Sequence, residues 1–144
     1  LIMSQLYPHI FAADRVGRTM VATGVTEDLH EIGVRMVCDF FEMEGWDTYY
    51  LGANTPVDSV VSTIAEREAD LVAISVTLGV HLDRVREMIA AIRAAPESRH
   101  SKIMVGGLPF ILDENLWSEV GADGCAADAA KAVEAGRKLV APET

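Results

Sequence analysis

Asp28 and His30, a carboxylate and an imidazole two residues apart, head the side chains of this sequence that could engage a ligand. Ser75 and Thr77 add two hydroxyls on either side of Val76, Gly106 and Gly107 form a glycine pair, and Cys125-Ala126 lead into Asp128. An imidazole with a nearby carboxylate, hydroxyls and bare glycine backbone suits a slot in which a flat or bulky ligand lies against the main chain. Each member also has a plainer duty. Asp28 with Glu31 is a helix-start pair, Ser75 can bridge local backbone, and a glycine pair makes a tight turn. Cys38 and Cys125 read as small packing residues.

These residues make a site only if the fold gathers them, and the pattern of the chain says that it does. Short β-like runs at 19–23, 48–51, 71–76, 103–105 and 124–126 alternate with helical stretches. Leu29, Ile32, Gly33, Met36, Val37 and Phe40 follow the spacing of a helix face, as do Val57, Val60, Val61 and Ile64, then Leu82, Val85, Ile89 and Ile92. Thr55 and Asp58 resemble a capping box around Pro56, Pro96 stops the helix before it, Gly121 fits just past a helix end, and Asp128 can cap the last helix. The first and third strands are continuous apolar runs, as in a parallel sheet covered on both faces. Five βα units with right-handed crossovers predict an α/β fold, a doubly wound five-stranded parallel sheet of flavodoxin-like (Rossmann-like) order 2-1-3-4-5. Ligands of such sheets bind beyond the carboxyl ends of the strands, where the strand order reverses. The residues named above follow the first, third, fourth and fifth strands.

Composition narrows the function. At 144 residues, half of them apolar and 24% charged, the chain is of single-domain size with enough material for a core. Its formal charge of −10 is the wrong sign for a phosphate-binding surface, so direct nucleic-acid contact is not expected. No apolar run approaches the roughly 20 residues of a membrane span, and a cytoplasmic protein is expected. Two cysteines far apart disfavour a disulfide framework or a structural zinc site. Thr23-Gly24-Val25-Thr26 lacks the GxGxxG of a dinucleotide site, and no P-loop is present. A phospho-accepting receiver would need an aspartate where Ser75 stands. A flavin site would want a hydroxyl-rich first loop, where only Thr23 and Thr26 are available. The chain opens at Leu1, and residues 1–18 lie outside the alternation. They are expected to be a residual helix or linker from a longer protein, with the ligand-binding domain at 19–144.

Asp28-Leu29-His30-Glu31-Ile32-Gly33 matches the DxHxxG motif of cobalamin-binding domains; Ser75-Val76-Thr77 resembles their SxL segment and Gly106-Gly107 their GG. The run from Gly121 to Ala130, including Cys125 and Ala126, is similar to their closing strand and helix. The resemblance implies a corrinoid cofactor (adenosyl-, methyl- or hydroxocobalamin) bound base-off, with His30 as the lower ligand of cobalt. Asp28 would accept the other ring N–H, and the neutral imidazole needed for ligation implies weaker binding at acid pH. Glu31, Ile32 and Gly33 belong to the same motif. The nucleotide tail would enter between the first and third strands, with Ser75 meeting its base and Gly33, Gly106 and Gly107 making room. Thr77 departs from the leucine of SxL, Cys125 stands where an aromatic residue is common, and Val34-Arg35 replaces the Lys-Asn of methyl-carrying members. The stretch Tyr50 to Pro56 resembles cobalamin-dependent regulators and photosensors, and the Val34-Arg35 departure argues against a methyl carrier. The resulting expectation is a sensory module without chemistry of its own, beneath an N-terminal helical cap and open to homo-oligomer formation. The alternative is a corrinoid methyl carrier of a methyltransferase system.

Overall fold

A computed structural model describes residues 16–25, 31–53, 55–76 and 82–141. Its strands are β1 (Thr19–Gly24), β2 (Asp47–Ala53), β3 (Leu71–Ser75), β4 (Lys102–Gly106) and β5 (Gly124–Ala126). Its helices are α1 (Glu31–Met43), α2 (Val57–Arg67), α3 (Leu82–Ala94), the short α4 (Leu108–Leu112) and α5 (Leu116–Glu119), and α6 (Ala129–Val140). The strands pair in parallel in the order β2-β1-β3-β4-β5, which is the expected topology. Among the described residues no helix is long and apolar enough to cross a membrane.

Strand alternation divides the core in two. Val21, Val72, Ile74, Ile103 and Val105 meet Val60 and Ile64 of α2 and Val85, Ile89 and Ile92 of α3. On the other face Met20, Ala22, Leu71, Ala73 and Met104 meet Val34, Cys38 and Phe41 of α1 and Ala132 and Val133 of α6. The inward stripe of α1 is therefore displaced by about one residue from the sequence expectation. Met36 and Phe40, read as part of the buried face, are 50% and 37% exposed.

Polar side chains fix the amino-terminal end of the sheet. Asp70 Oδ2 accepts from the Thr19 amide at 2.9 Å, tying β1 to the start of β3. Asp123 Oδ2 accepts from the Ile103 amide and from Arg93 Nη2, both at 2.8 Å, which joins β4, the approach to β5 and the end of α3. The buried Ser101 hydroxyl donates to the Ala69 carbonyl at 2.7 Å. Asp128 caps α6 as expected, accepting from the Lys131 amide at 2.8 Å, and Gly121 takes φ +95° past the end of α5. The proposed capping box at α2 is not formed. Thr55 donates its hydroxyl back to the Leu51 carbonyl at 2.7 Å, and Pro56 occupies the N-cap position with no side-chain cap.

α1 and α6 touch where Gly136 leaves no room for a side chain. A Cβ there would stand 2.8 Å from both the Phe41 ring and Leu71 Cδ2. Gly136→Ala is expected to overpack this contact and cost about 1–3 kcal/mol, read as a lower urea midpoint; an unchanged midpoint would show that the helices separate freely.

Candidate functional site

The carboxyl ends of four strands form one register row. Gly24 pairs with Ser75, Ser75 with Gly106, and Gly106 with Ala126. Two residues back along the strands, the row reads Ala22, Ala73, Met104 and Gly124. Met104 apart, the face toward α1 and α6 thus changes from bulky (Met20, Leu71) to small near the carboxyl edge, whereas the opposite face stays filled by Ile74 and Val105. α1 lies over β1 and β2, and α6 chiefly over β5. Between them a cleft of about 410 Å³ opens above β3 and β4, within the range of small-molecule sites. Val34 and Val37 of α1 form one wall, Ala129 and Ala132 of α6 the other, and Leu108 and Ile111 flank the mouth.

The glycine pair shapes this mouth. Gly107 has φ +120°, and a Cβ on it would fall 1.7 Å from the Val76 carbonyl oxygen. The chain leaving β4 therefore crosses directly over the end of β3. Gly106 faces the cleft, and a Cβ there would approach the Ala126 carbonyl oxygen to 3.3 Å.

Of the residues singled out from sequence, Ser75, Gly106, Gly107 and Ala126 line this cleft together. Glu31, Ile32 and Gly33 form the first turn of α1, directly ahead of the cleft-lining Val34. Asp28, His30 and Thr77 lie outside the described residues. Two of the named residues lie away from the cleft. Val76 is buried in the core on the α2/α3 face, and Cys125 packs against that same core, because each is out of phase with the small-residue row. Among the described residues the cleft lies over the third and fourth strands, α1 covering β1 and β2. Ala73, Met104, Ala129 and Ala132 were missed; in sequence they are ordinary apolar residues, and only the register between strands places them at the cleft. Thr23, considered as a loop hydroxyl, is fully buried and donates to the Gly52 carbonyl at 3.1 Å.

Neither thiol adds reactivity. Burial, reinforced by the Asp39 and Glu42 carboxylates, pushes Cys38 up to about 12, and burial raises Cys125 as well. Both stay protonated at neutral pH, which suits packing rather than nucleophilic or ligand roles.

The architecture is shared with known proteins. Residues 18–136 match the model of the B12 binding domain, and the chain belongs to that family. The dimethylamine corrinoid protein 1 of Methanosarcina acetivorans is 26% identical over 141 residues, which cover 96% of this chain and 64% of that protein. A cobalamin-binding protein from Desulfitobacterium hafniense has a crystal structure that superimposes with a TM-score of 0.78 at 29% identity, covering 95% of this chain and 64% of that one. The monomethylamine corrinoid protein of Methanosarcina barkeri shares the fold, with a TM-score of 0.76 at 21% identity over 95% of this chain and 65% of its own. This chain thus spans somewhat under two thirds of the length of these three relatives. Cobalamin is the cofactor of the chain, and the small-residue row with its apolar cleft fits that cofactor's nucleotide tail.

The expectation of a sensory module is overturned, because the Methanosarcina relatives are named dimethylamine and monomethylamine corrinoid proteins. The Val34-Arg35 departure that favoured a sensor has a packing explanation. Val34 is buried against the sheet, and the Arg35 guanidinium lies 5.3 Å from the centroid of the Tyr50 ring.

Gly107→Ala is expected to push the turn after β4 off the end of β3. Both the urea midpoint and retention of hydroxocobalamin through a desalting column should fall, and wild-type values for both would show that the turn tolerates a side chain.

Proposed function

We propose that this chain is the cobalamin-carrying domain of a corrinoid protein that shuttles methyl groups between two methyltransferases. The observation that carries this reading is the match of 96% of the chain to a dimethylamine corrinoid protein. Methylated amines are accordingly the proposed class of methyl donor. When bound, the corrinoid supplies a cobalt centre that takes up and gives up a methyl group.

The protein's own part is to hold and orient that group. His30, which directly precedes α1 in sequence, would ligate cobalt, and Asp28 would accept its other ring N–H and so fix the tautomer. The cleft above β3 and β4 would hold the nucleotide tail, with Ser75 offering a hydroxyl to the base and Gly106 and Gly107 giving it backbone to lie on. Val34, Val37, Ala132 and Ile111 line the cleft and would keep water from the base. Apolar side chains near the carboxyl edge, Leu108, Ile111 and Leu112, are half or more exposed, which suits contact with a corrin or with a domain closing over it. An N-terminal helical segment and two methyltransferases are the proposed partners.

Mixed with hydroxocobalamin and desalted, the protein is expected to retain pigment, and its reduced form to show the nitrogen hyperfine pattern of an imidazole ligand in spin-resonance spectra. His30→Ala should abolish that pattern, and Asp28→Ala should weaken affinity about 10–100-fold. Supplied with isotope-labelled dimethylamine or monomethylamine and the cognate methyltransferase, the reduced, loaded protein should retain label after desalting. Retention of pigment without label from any methylated amine would refute the carrier reading, and an unchanged spectrum in His30→Ala would refute the ligand assignment.

A further inference from the structure

Among the strand side chains that face α1 and α6 at the cleft, Met104 is the large one. Met104 is 3% exposed and lines the cleft from below, in a register row whose other members are Ala22, Ala73 and Gly124. The Gly124 side is closed, since a Cβ there would already meet Leu139 Cδ1 at 3.3 Å. Among the described residues of this row, Ala73 also lines the cleft and leaves depth beside it. The Ser75–Gly106 row at the mouth lies two residues further along the strands, roughly 7 Å away at the usual rise per residue. A group entering from the mouth has about that distance before it meets the thioether.

The geometry points to Met104 as the residue that sets which lower bases of a corrinoid this protein accepts. The inference rests on the reading that the nucleotide tail occupies the cleft. Around its inner end the cleft has little room to adjust: Gly106 has no side chain, Ala73 and Ala132 have one methyl each, and the β-branched Val34 and Val37 are stiff, whereas Met36, Leu108 and Ile111, which also line the cleft, are half exposed. Met104 is unbranched, with three rotatable bonds and a polarizable sulfur. It is an adjustable stop, able to retract for a bicyclic base and too large to admit a third ring. Ala73 and Met104 offer a base no hydrogen-bonding side chain at this depth, so the far edge of the preferred base is apolar.

The test is a titration, followed by absorption, of the full chain with cobinamide (which lacks the nucleotide), cobalamin, and a cobamide carrying a three-ring base. The wild type is expected to bind cobalamin at least tenfold more tightly than either of the others. Met104→Ala should raise affinity for the three-ring cobamide at least tenfold relative to cobalamin and leave cobinamide unchanged. Ala73→Leu fills space that is already open and is expected to keep the fold. It should bring cobalamin down to the level of cobinamide, and it keeps the test decisive if Met104→Ala proves too unstable to load. If cobalamin outbinds cobinamide in the wild type but neither variant alters the ranking, Met104 is not the stop and only this inference fails. If the wild type holds cobinamide as tightly as cobalamin, the tail does not use the cleft, and the reading beneath the inference fails with it.

Discussion

The site depends on a packing constraint: α1 and α6 touch each other low on the sheet and have little beneath them near its carboxyl edge. Phe41, Leu71 and Gly136 bring the helices together, and a side chain on Gly136 would collide with both of its neighbours. Higher up, Ala73, Ser75, Gly106 and Ala126 are too small to fill the space beneath. Interiors normally close to the density of organic crystals; here the helices are held by contacts elsewhere, so the missing side chains leave a cleft rather than a collapsed core.

The two ends of the sheet divide the labour. At the amino-terminal end Asp70, Ser101 and Asp123 accept from or donate to the backbone of neighbouring segments, and Arg93 pairs with Asp123. Strand positions are thus fixed away from the ligand. The carboxyl end keeps main-chain pairing as far as the Val25 amide on the Ser75 carbonyl and the Val76 amide on the Gly106 carbonyl. Beyond that it offers small residues and the crossing at Gly107. A cofactor that must be held while its reactive face meets other proteins is well served by a rigid base and an open rim.

Much of the fold could be read in the sequence because its signals are local. Apolar runs, helical spacing, Asp128 before the last helix and Gly121 after the short one all act within a few residues. The site was legible in part. Ser75, Gly106 and Gly107 could be found because glycines and hydroxyls stand out at strand ends, whereas Ala73 and Met104 acquire meaning only through pairing with strands distant in sequence. Cys125 is named by motif and also reads as a packing residue; it packs against the α2/α3 core, a phase that a three-residue strand is too short to reveal in sequence. Thr55 looked like a cap, but its hydroxyl finds the Leu51 carbonyl instead. Carrier and sensor could not be separated by motif, since both would use the same slot and differ in the proteins that meet it.

The margins of the sheet have a consequence for life in a crowded solution. β5 is only three residues long. On the other side, β2 falls out of step with β1 between Ala22 and Gly24, Gly52 takes φ +86°, and Arg67 and Arg35 lie over the Tyr49 and Tyr50 rings. Short or kinked borders dressed with cations are poor templates for a foreign strand. A molecule that exposes greasy helix surface around its ligand can therefore stay dispersed, because its outermost strands give stray chains little to zip onto.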